Sequence, residues 1–141
     1  MCLDHYYSKK HWNRYLPAGN KYTAYKVMLK DKDIITSWFY DYKWKRGLNK
    51  AKLTEDDGSI NWEAGFYVFL QKPPYGKGLL EIGYRGHEVF KVQIYKDDIL
   101  HVGYNVASIP CKSYTWKTKS RRLLVAVVSK LILPSTHPLE V

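Results

Sequence analysis

The sequence predicts one β-rich α+β domain, built on a single twisted, mainly antiparallel sheet that curls towards a half-barrel. Residues 88–103 begin with alternating apolar and polar side chains, with Phe90, Val92 and Ile94 on one face, and the pattern resumes at residues 99–102 after a break at Asp97 and Asp98. This pattern is typical of a strand with one buried and one wet face. Residues 65–70, GFYVFL, are apolar throughout and predict a strand buried on both faces, packed beside the first. The aromatic share of 16% also favours strands.

The first third of the chain predicts a hairpin. Residues 1–21 are polar and aromatic without a clean period, so we expect them to be less ordered, apart from a short helix over 6–15. Residues 22–30 alternate and predict a strand. Residues 31–33 predict a tight polar turn, and residues 34–42 predict the strand that returns.

Later elements follow from turn residues and apolar runs. Residues 43–52 lose the alternation and predict a loop. Residues 108–117 predict a strand that Pro110 confines to a sheet edge or a strand start, because proline cannot donate to a sheet. Residues 121–133 are largely apolar, which fits a helix or a buried strand, and their valines favour the strand. Residues 134–141 are expected to be less ordered, and no linker divides the chain into two domains.

The charge of the chain is strongly basic. Lysine and arginine number 23 against 13 acidic residues, which gives a formal net charge of +10. A surplus of this size attracts polyanions such as nucleic acid, an acidic protein or an anionic membrane face. A soluble domain that happens to be basic would have the same composition.

Three segments interleave cations with aromatic rings: residues 6–15, 38–46 and 114–122. Nucleic-acid surfaces use such mixtures, because lysine and arginine neutralise phosphate while flat rings stack on exposed bases. The alternative is cross-strand aromatic pairs flanked by solvating lysines. If at least two clusters converge on one face, their fields add. The predicted binding residues are Lys9, Lys10, Trp12, Arg14, Lys43, Trp44, Lys45, Arg46, Trp116, Lys117, Lys119, Arg121 and Arg122.

Cysteine and histidine offer little for a metal site. Cys2 and Cys111 allow one disulfide or two free thiols, and we expect free thiols in a reducing cytosol. Cys2, His5 and His11 match no usual zinc spacing and lack a fourth ligand. The sequence therefore predicts no metal and no cofactor.

Targeting and membrane segments are not expected. Lysines and histidines interrupt any apolar run near the start, so no signal peptide is predicted. Residues 123–133 form the most apolar segment, but eleven residues interrupted by Lys130 are too short to cross a bilayer. We predict a soluble, cytoplasmic protein without a membrane partner, and the oligomeric state stays open.

Three segments in this order resemble a small β-rich domain common in phage and prophage genes: residues 25–49 (YKVMLKDKDIITSWFYDYKWKRGLN), 62–70 (WEAGFYVFL) and 86–103 (GHEVFKVQIYKDDILHVG). The resemblance covers about residues 22–103 and implies a compact β-rich fold of viral or mobile-element origin, in the cytoplasm of a host cell. It brings no catalytic residues. The matching residues are Gly65, Phe66, Phe69, Leu70, Val89, Lys91, Val92, Asp98, Ile99, Val102 and Gly103.

The expected function is binding without catalysis. A phage-type accessory protein would engage an anionic partner, which could be nucleic acid, a nucleotide or a host protein surface, and the resemblance implies that it could inhibit a host defence system. The order of strands also resembles that of ADP-ribosyltransferases, so the alternative is a nucleotide-using transferase. Its glutamate would be Glu63, Glu81 or Glu88, none of which lies in a specific motif.

Overall fold

The described part of the chain forms one open, curled sheet of ten strands. A computed structural model describes residues 3–36, 42–54, 57–59, 64–73, 87–111 and 114–139, and gives the backbone alone for residues 87, 107–111 and 114–120. Every pairing described is antiparallel, as the sequence predicts. Across the described ranges, no helix is long and apolar enough to cross a membrane.

Strands dominate the element order, and helix is confined to two short 3-10 segments in the described residues. The helical half of the α+β prediction is therefore reduced to these turns, of which the first overlaps the short helix predicted over 6–15. The elements are β1 His5–Tyr6, η1 Lys9–Arg14, β2 Lys21–Asp31, β3 Ile34–Thr36, β4 Lys43–Trp44, β5 Gly47–Lys50, β6 Phe66–Phe69, β7 His87–Tyr95, η2 Lys96–Asp98, β8 Ile99–Cys111, β9 Tyr114–Val128 and β10 Lys130–Leu133.

The strand order of the sheet is β1-β8-β9-β6-β2-β7-β10-β5, with β3 attached to β2 and β4 attached to β3. The predicted central strand is confirmed as β7, which pairs with β2 from Lys21 opposite Tyr95 to Leu29 opposite His87. The prediction that the GFYVFL strand packs beside it is wrong. That strand, β6, pairs with β9 and with β2, so β2 separates it from β7.

The predicted hairpin is confirmed, because β3 returns antiparallel to β2 through a turn at Lys32. The positive φ of 56° at Lys32 fits such a tight turn. The predicted returning strand continues into residues 37–41, which lie outside the described residues. Beyond them β4 pairs with β3, so the predicted loop over 43–52 is instead two short strands, β4 and β5.

The turn between these two strands is held by the side chain of Asn49, which is fully buried. Its Oδ1 accepts from the Lys45 N–H at 3.1 Å and from the Tyr42 hydroxyl at 3.1 Å. Its Nδ2 donates to the carbonyls of Lys45 at 2.8 Å and Gly47 at 3.1 Å. One amide thus holds the turn together, while β4 pairs with β3 and β5 with β10. Strands of two and four residues are too short to show an alternating pattern, which is why residues 43–52 did not predict them.

The core lies on two faces of the sheet. The larger cluster defines what we call the inner face and contains the five residues that the sequence predicts to be buried together: Phe66, Val68, Phe90, Val92 and Ile94. The smaller cluster, on the outer face, contains Leu3, Tyr67, Val125 and Val127. Strand β6 is thus buried on both faces, as its unbroken apolar run predicts.

The chain following β7 forms a long hairpin of β8 and β9, so the strand predicted within residues 121–133 is confirmed as β9 and β10. Pro110 lies inside β8, not at a strand start. The register of the ladder shifts between Pro110 and Cys111, which is consistent with a residue that cannot donate to it.

Candidate functional site

The β8–β9 hairpin continues past the strands that the structure describes beside it. Its ladder runs on from Asn105 opposite Leu123 to Cys111 opposite Tyr114. The described pairings of β1 and β6 stop earlier, at Tyr104 and at Val125, apart from one further bond to the Leu124 carbonyl. We call residues 105–111 and 114–123 the arm. At about 3.3 Å per residue, seven residues of β8 extend it by about 23 Å.

The arm lies in the part of the sequence without acidic residues. Asp98 and Glu140 enclose 41 positions that hold no aspartate or glutamate. Twelve of the 13 acidic residues precede residue 99, and the same part of the sequence contains 17 lysines and arginines. Residues 99–139 therefore contribute six positive charges to the net +10. They are Lys112, Lys117, Lys119, Arg121, Arg122 and Lys130.

At the root of the arm, an arginine, a tyrosine ring and a histidine ring pack together. The Arg122 guanidinium lies 4.6 Å from the centre of the Tyr104 ring. The His5 ring stacks on Tyr104 with centroids 5.1 Å apart and planes at 23°. Arg122 comes from β9 and His5 from β1, the two strands on either side of β8, so the Tyr104 ring is contacted from both neighbours.

The same contacts continue into the N-terminal segment. Tyr7 stacks on Tyr15 with centroids 3.9 Å apart and planes at 7°, and lies 5.9 Å from Tyr104. Burial raises the pKa of Tyr7, as do a hydrogen bond with Tyr15 and the charges of Tyr15 and Tyr104, while Arg122 lowers it. We call Arg122, Tyr104, His5, Tyr7 and Tyr15 together the aromatic base.

The N-terminal strand is held against β8 by a glycine and an aspartate. A Cβ on Gly103 would collide with the His5 carbonyl oxygen, so only glycine lets β1 lie this close. The Asp4 carboxylate accepts from the Val106 N–H at 2.6 Å, and the Asp4 N–H donates to Asn105 Oδ1 at 3.0 Å. These contacts fix the first cluster to the root of the arm.

Tyr7 and Tyr15 of the first predicted cluster therefore lie beside Tyr104, the ring that Arg122 of the third cluster contacts. On η1, Lys9, Lys10 and Arg14 are exposed. Trp12 is half-buried, donates from Nε1 to the Tyr7 carbonyl at 3.1 Å, and has the Lys9 ammonium 5.8 Å from its ring. In the third cluster Arg121 and Arg122 are exposed. For Trp116, Lys117 and Lys119 the structure describes backbone positions on β9 only.

The second cluster lies elsewhere in the sheet. Lys43, Lys45 and Arg46 are exposed on β4 and on the turn to β5, the strand at the opposite end of the order from β1. Trp44 is only 6% exposed and packs against Phe66 at 4.5 Å between ring centres. The expected stacking role does not fit Trp44, because its ring belongs to the core.

Sequence reasoning missed one cation, Lys26. Its ammonium donates to the Tyr67 carbonyl at 2.8 Å and lies 5.5 Å from the centre of the Trp44 ring. The residue as a whole is half-buried, but its amine lies deep enough that burial lowers its pKa to about 8. The alternation of β2 offered a signal, because Lys26 shares a face with the buried Ala24 and Met28.

The residues weighed for metal binding or catalysis form no centre in the described ranges. Among described residues, no group of three or more His, Cys, Asp or Glu side chains could hold a metal ion. Glu88 is half-buried on β7 opposite Met28. Cys2, Glu63 and Glu81 lie outside the described residues.

Comparison of the chain with models of known protein families, with curated proteins and with solved structures finds no significant match. The resemblance of residues 22–103 to a phage domain stays a prediction that rests on its matching residues. Function is therefore inferred from the geometry of the arm and the aromatic base.

Proposed function

We propose that the protein binds an anionic partner without catalysis, through the arm and the aromatic base, and that this partner is a nucleic acid. One observation carries the proposal: a hairpin from a stretch without acidic residues extends beyond the sheet, and a second basic cluster joins it at its root. The other partners consistent with the charge are a nucleotide and an acidic host protein surface.

Electrostatics supports this choice of surface. Exposed cations that lie close together add their fields, and an extended polyanion meets several of them at once. Arg122 is already oriented by Tyr104, so less side-chain freedom is lost when its guanidinium engages a phosphate. Each phosphate contact also releases a bound counterion, which adds affinity at low salt. A long, acid-free hairpin is suited to this kind of binding.

The biological setting follows from the resemblance alone. We propose a phage-type accessory protein acting in the host cytoplasm, where it could inhibit a host defence complex that itself binds nucleic acid. The transferase alternative needs a glutamate in a polar pocket. Among the described residues no observation favours it, and a shift in melting temperature with millimolar NAD would be required to support it.

Titration of labelled 20-mer oligonucleotides with the full-length chain tests the proposal, with duplex and single strand measured at about 50 mM and about 200 mM salt. We expect binding at low salt that weakens about 10-fold or more at high salt, because several counterions are released. Polyglutamate of similar length serves as a protein-like polyanion. Failure of both oligonucleotides to bind at low salt would contradict nucleic acid as the partner, and binding of polyglutamate alone would favour an acidic protein.

A further inference from the structure

The described rings around the arm already pack against other side chains of the protein. Tyr104 is contacted by Arg122 and by His5, and Tyr7 is stacked on Tyr15. Trp12 packs against the core cluster beneath Lys9. Recognition of a single strand depends on open ring faces on which successive bases stack. Tyr104 and Trp12 instead lie against cations, so the described surface favours contacts with phosphates over stacking on bases.

Neighbouring arginines of the arm point in opposite directions. Arg121 lies opposite Ala107 and Arg122 lies opposite Val106 in the ladder, and both arginines are exposed. Consecutive side chains of a strand point to opposite faces of a sheet. The root of the arm thus presents one guanidinium on each face. A strand of nucleic acid lying against one face would meet only one of them.

A groove between two phosphate backbones fits this arrangement. The major groove of B-form DNA is about 12 Å wide and admits a two-stranded β-ribbon, with a phosphate backbone on each side. The arm is such a ribbon. By contrast, the major groove of an RNA duplex is deep and narrow and does not admit side chains in this way.

We propose that the ligand of the arm is double-stranded DNA, entered at its major groove, with Arg121 and Arg122 contacting the backbones on opposite sides. This inference rests on the proposed function, since it names the class of nucleic acid bound at the same site. It assigns Tyr104 and His5 a positioning role for Arg122, without contact to bases.

A competition experiment with the full chain separates the candidates. Labelled duplex DNA of 20 base pairs is displaced by the same duplex, by either of its single strands, or by an RNA duplex of the same sequence. We expect the DNA duplex to compete at least about 10-fold better than the others. Protection of guanine N7 from dimethyl sulfate would place the arm in the major groove, where that atom is exposed.

Single charge reversals test the two-sided contact. Arg121→Glu and Arg122→Glu should each weaken duplex binding about 10-fold or more, whereas Lys130→Glu, outside the arm, should change it about twofold or less. If a single strand competes as well as the duplex, or if guanine N7 stays reactive, the duplex inference is wrong while the proposed function stands. If no nucleic acid binds, both are wrong.

Discussion

Two cation–ring pairs of this chain lie in opposite environments. In the body of the sheet, the Lys26 ammonium lies 5.5 Å from the Trp44 ring and donates to the Tyr67 carbonyl. At the root of the arm, Arg122 lies 4.6 Å from the Tyr104 ring and is exposed. Trp44 is itself a residue of β4 and is only 6% exposed, so the first pair belongs to the interior. The second lies where the neighbouring strands end, so its charge faces solvent.

The difference shows that a mixture of cations and rings in the sequence does not by itself distinguish side chains packed in the core from side chains on a binding surface. The cations of the second cluster are exposed like Arg121 and Arg122, but its ring, Trp44, is buried in the core. The burial of the ring distinguishes the two environments. The body and the arm should therefore respond differently to substitution.

The body should depend heavily on its central strand. Phe90→Ala removes a fully buried ring from β7 and should lower the free energy of unfolding by about 3–5 kcal/mol, through lost transfer energy and a cavity. Urea denaturation measures the loss. Val106→Ala, at a position 48% exposed on the arm, should cost about 0.5 kcal/mol or less. Equal losses from the two changes would contradict the distinction between body and arm.

Attachment of the N-terminal strand should depend on Gly103. Gly103→Ala places a methyl against the His5 carbonyl, so β1 must move, at a cost of about 1–3 kcal/mol. Hydrogen exchange should then show loss of protection at the Tyr7 amide, which donates to the Val102 carbonyl. His5→Ala keeps the backbone pairing and should retain that protection. Retention in Gly103→Ala as well would mean that the close approach is not required.

The buried amine should make the stability rise with pH. Because the pKa of Lys26 falls from 10.5 to about 8 on folding, the unfolded chain binds more protons between these values, and the free energy of unfolding increases with pH. From pH 8 to about 9.5 the rise should be about 1–2 kcal/mol. Burial raises the pKa of Tyr22 and of Tyr42, so above about pH 10 these tyrosines act in the opposite sense.

Denaturation at several pH values between 8 and 9.5 checks this rise, with Lys26→Met as the diagnostic variant. Lys26→Met should abolish most of it, and Lys43→Met, which changes an exposed lysine, should keep it. A rise that survives Lys26→Met would show that another group is responsible.

The smallest expected effect concerns the ring beneath Arg122. Tyr104→Leu removes the cation–ring contact, which is worth about 0.5–1 kcal/mol at exposed sites, and should weaken duplex DNA binding about two- to fivefold. Tyr104→Phe keeps the ring and should bind like the unchanged protein. A loss in Tyr104→Phe equal to that in Tyr104→Leu would instead indicate that the hydroxyl contacts the ligand.

Local patterns in the sequence predicted which segments form strands better than they predicted which strands pair with each other. Alternation identified β7, and an unbroken apolar run identified β6, because both depend on side chains within one segment. That β2 lies between them depends on pairing across distant parts of the chain, which no local period encodes. The strands β4 and β5 were missed because two and four residues are too few to show an alternating pattern.

The residues of the candidate site could be predicted from the sequence, but their arrangement in space could not. The cations of the first and third clusters are visible in the sequence, yet their meeting depends on Gly103 and on the register of β1 against β8. Lys26 was missed because lysine is normally assigned to solvent. Trp44 was assigned to the surface because its neighbours are charged, and strand alternation turns it inward.

Binding should depend on the arm and not on basic charge in general. Two triple variants with the same change in net charge test it most directly: Lys119→Glu/Arg121→Glu/Arg122→Glu in the arm, and Lys43→Glu/Lys45→Glu/Arg46→Glu at the turn between β4 and β5. Titration with duplex DNA at low salt should show a loss of about 100-fold or more for the arm variant and only a few-fold for the turn variant. Equal losses, or a larger loss for the turn variant, would contradict the account.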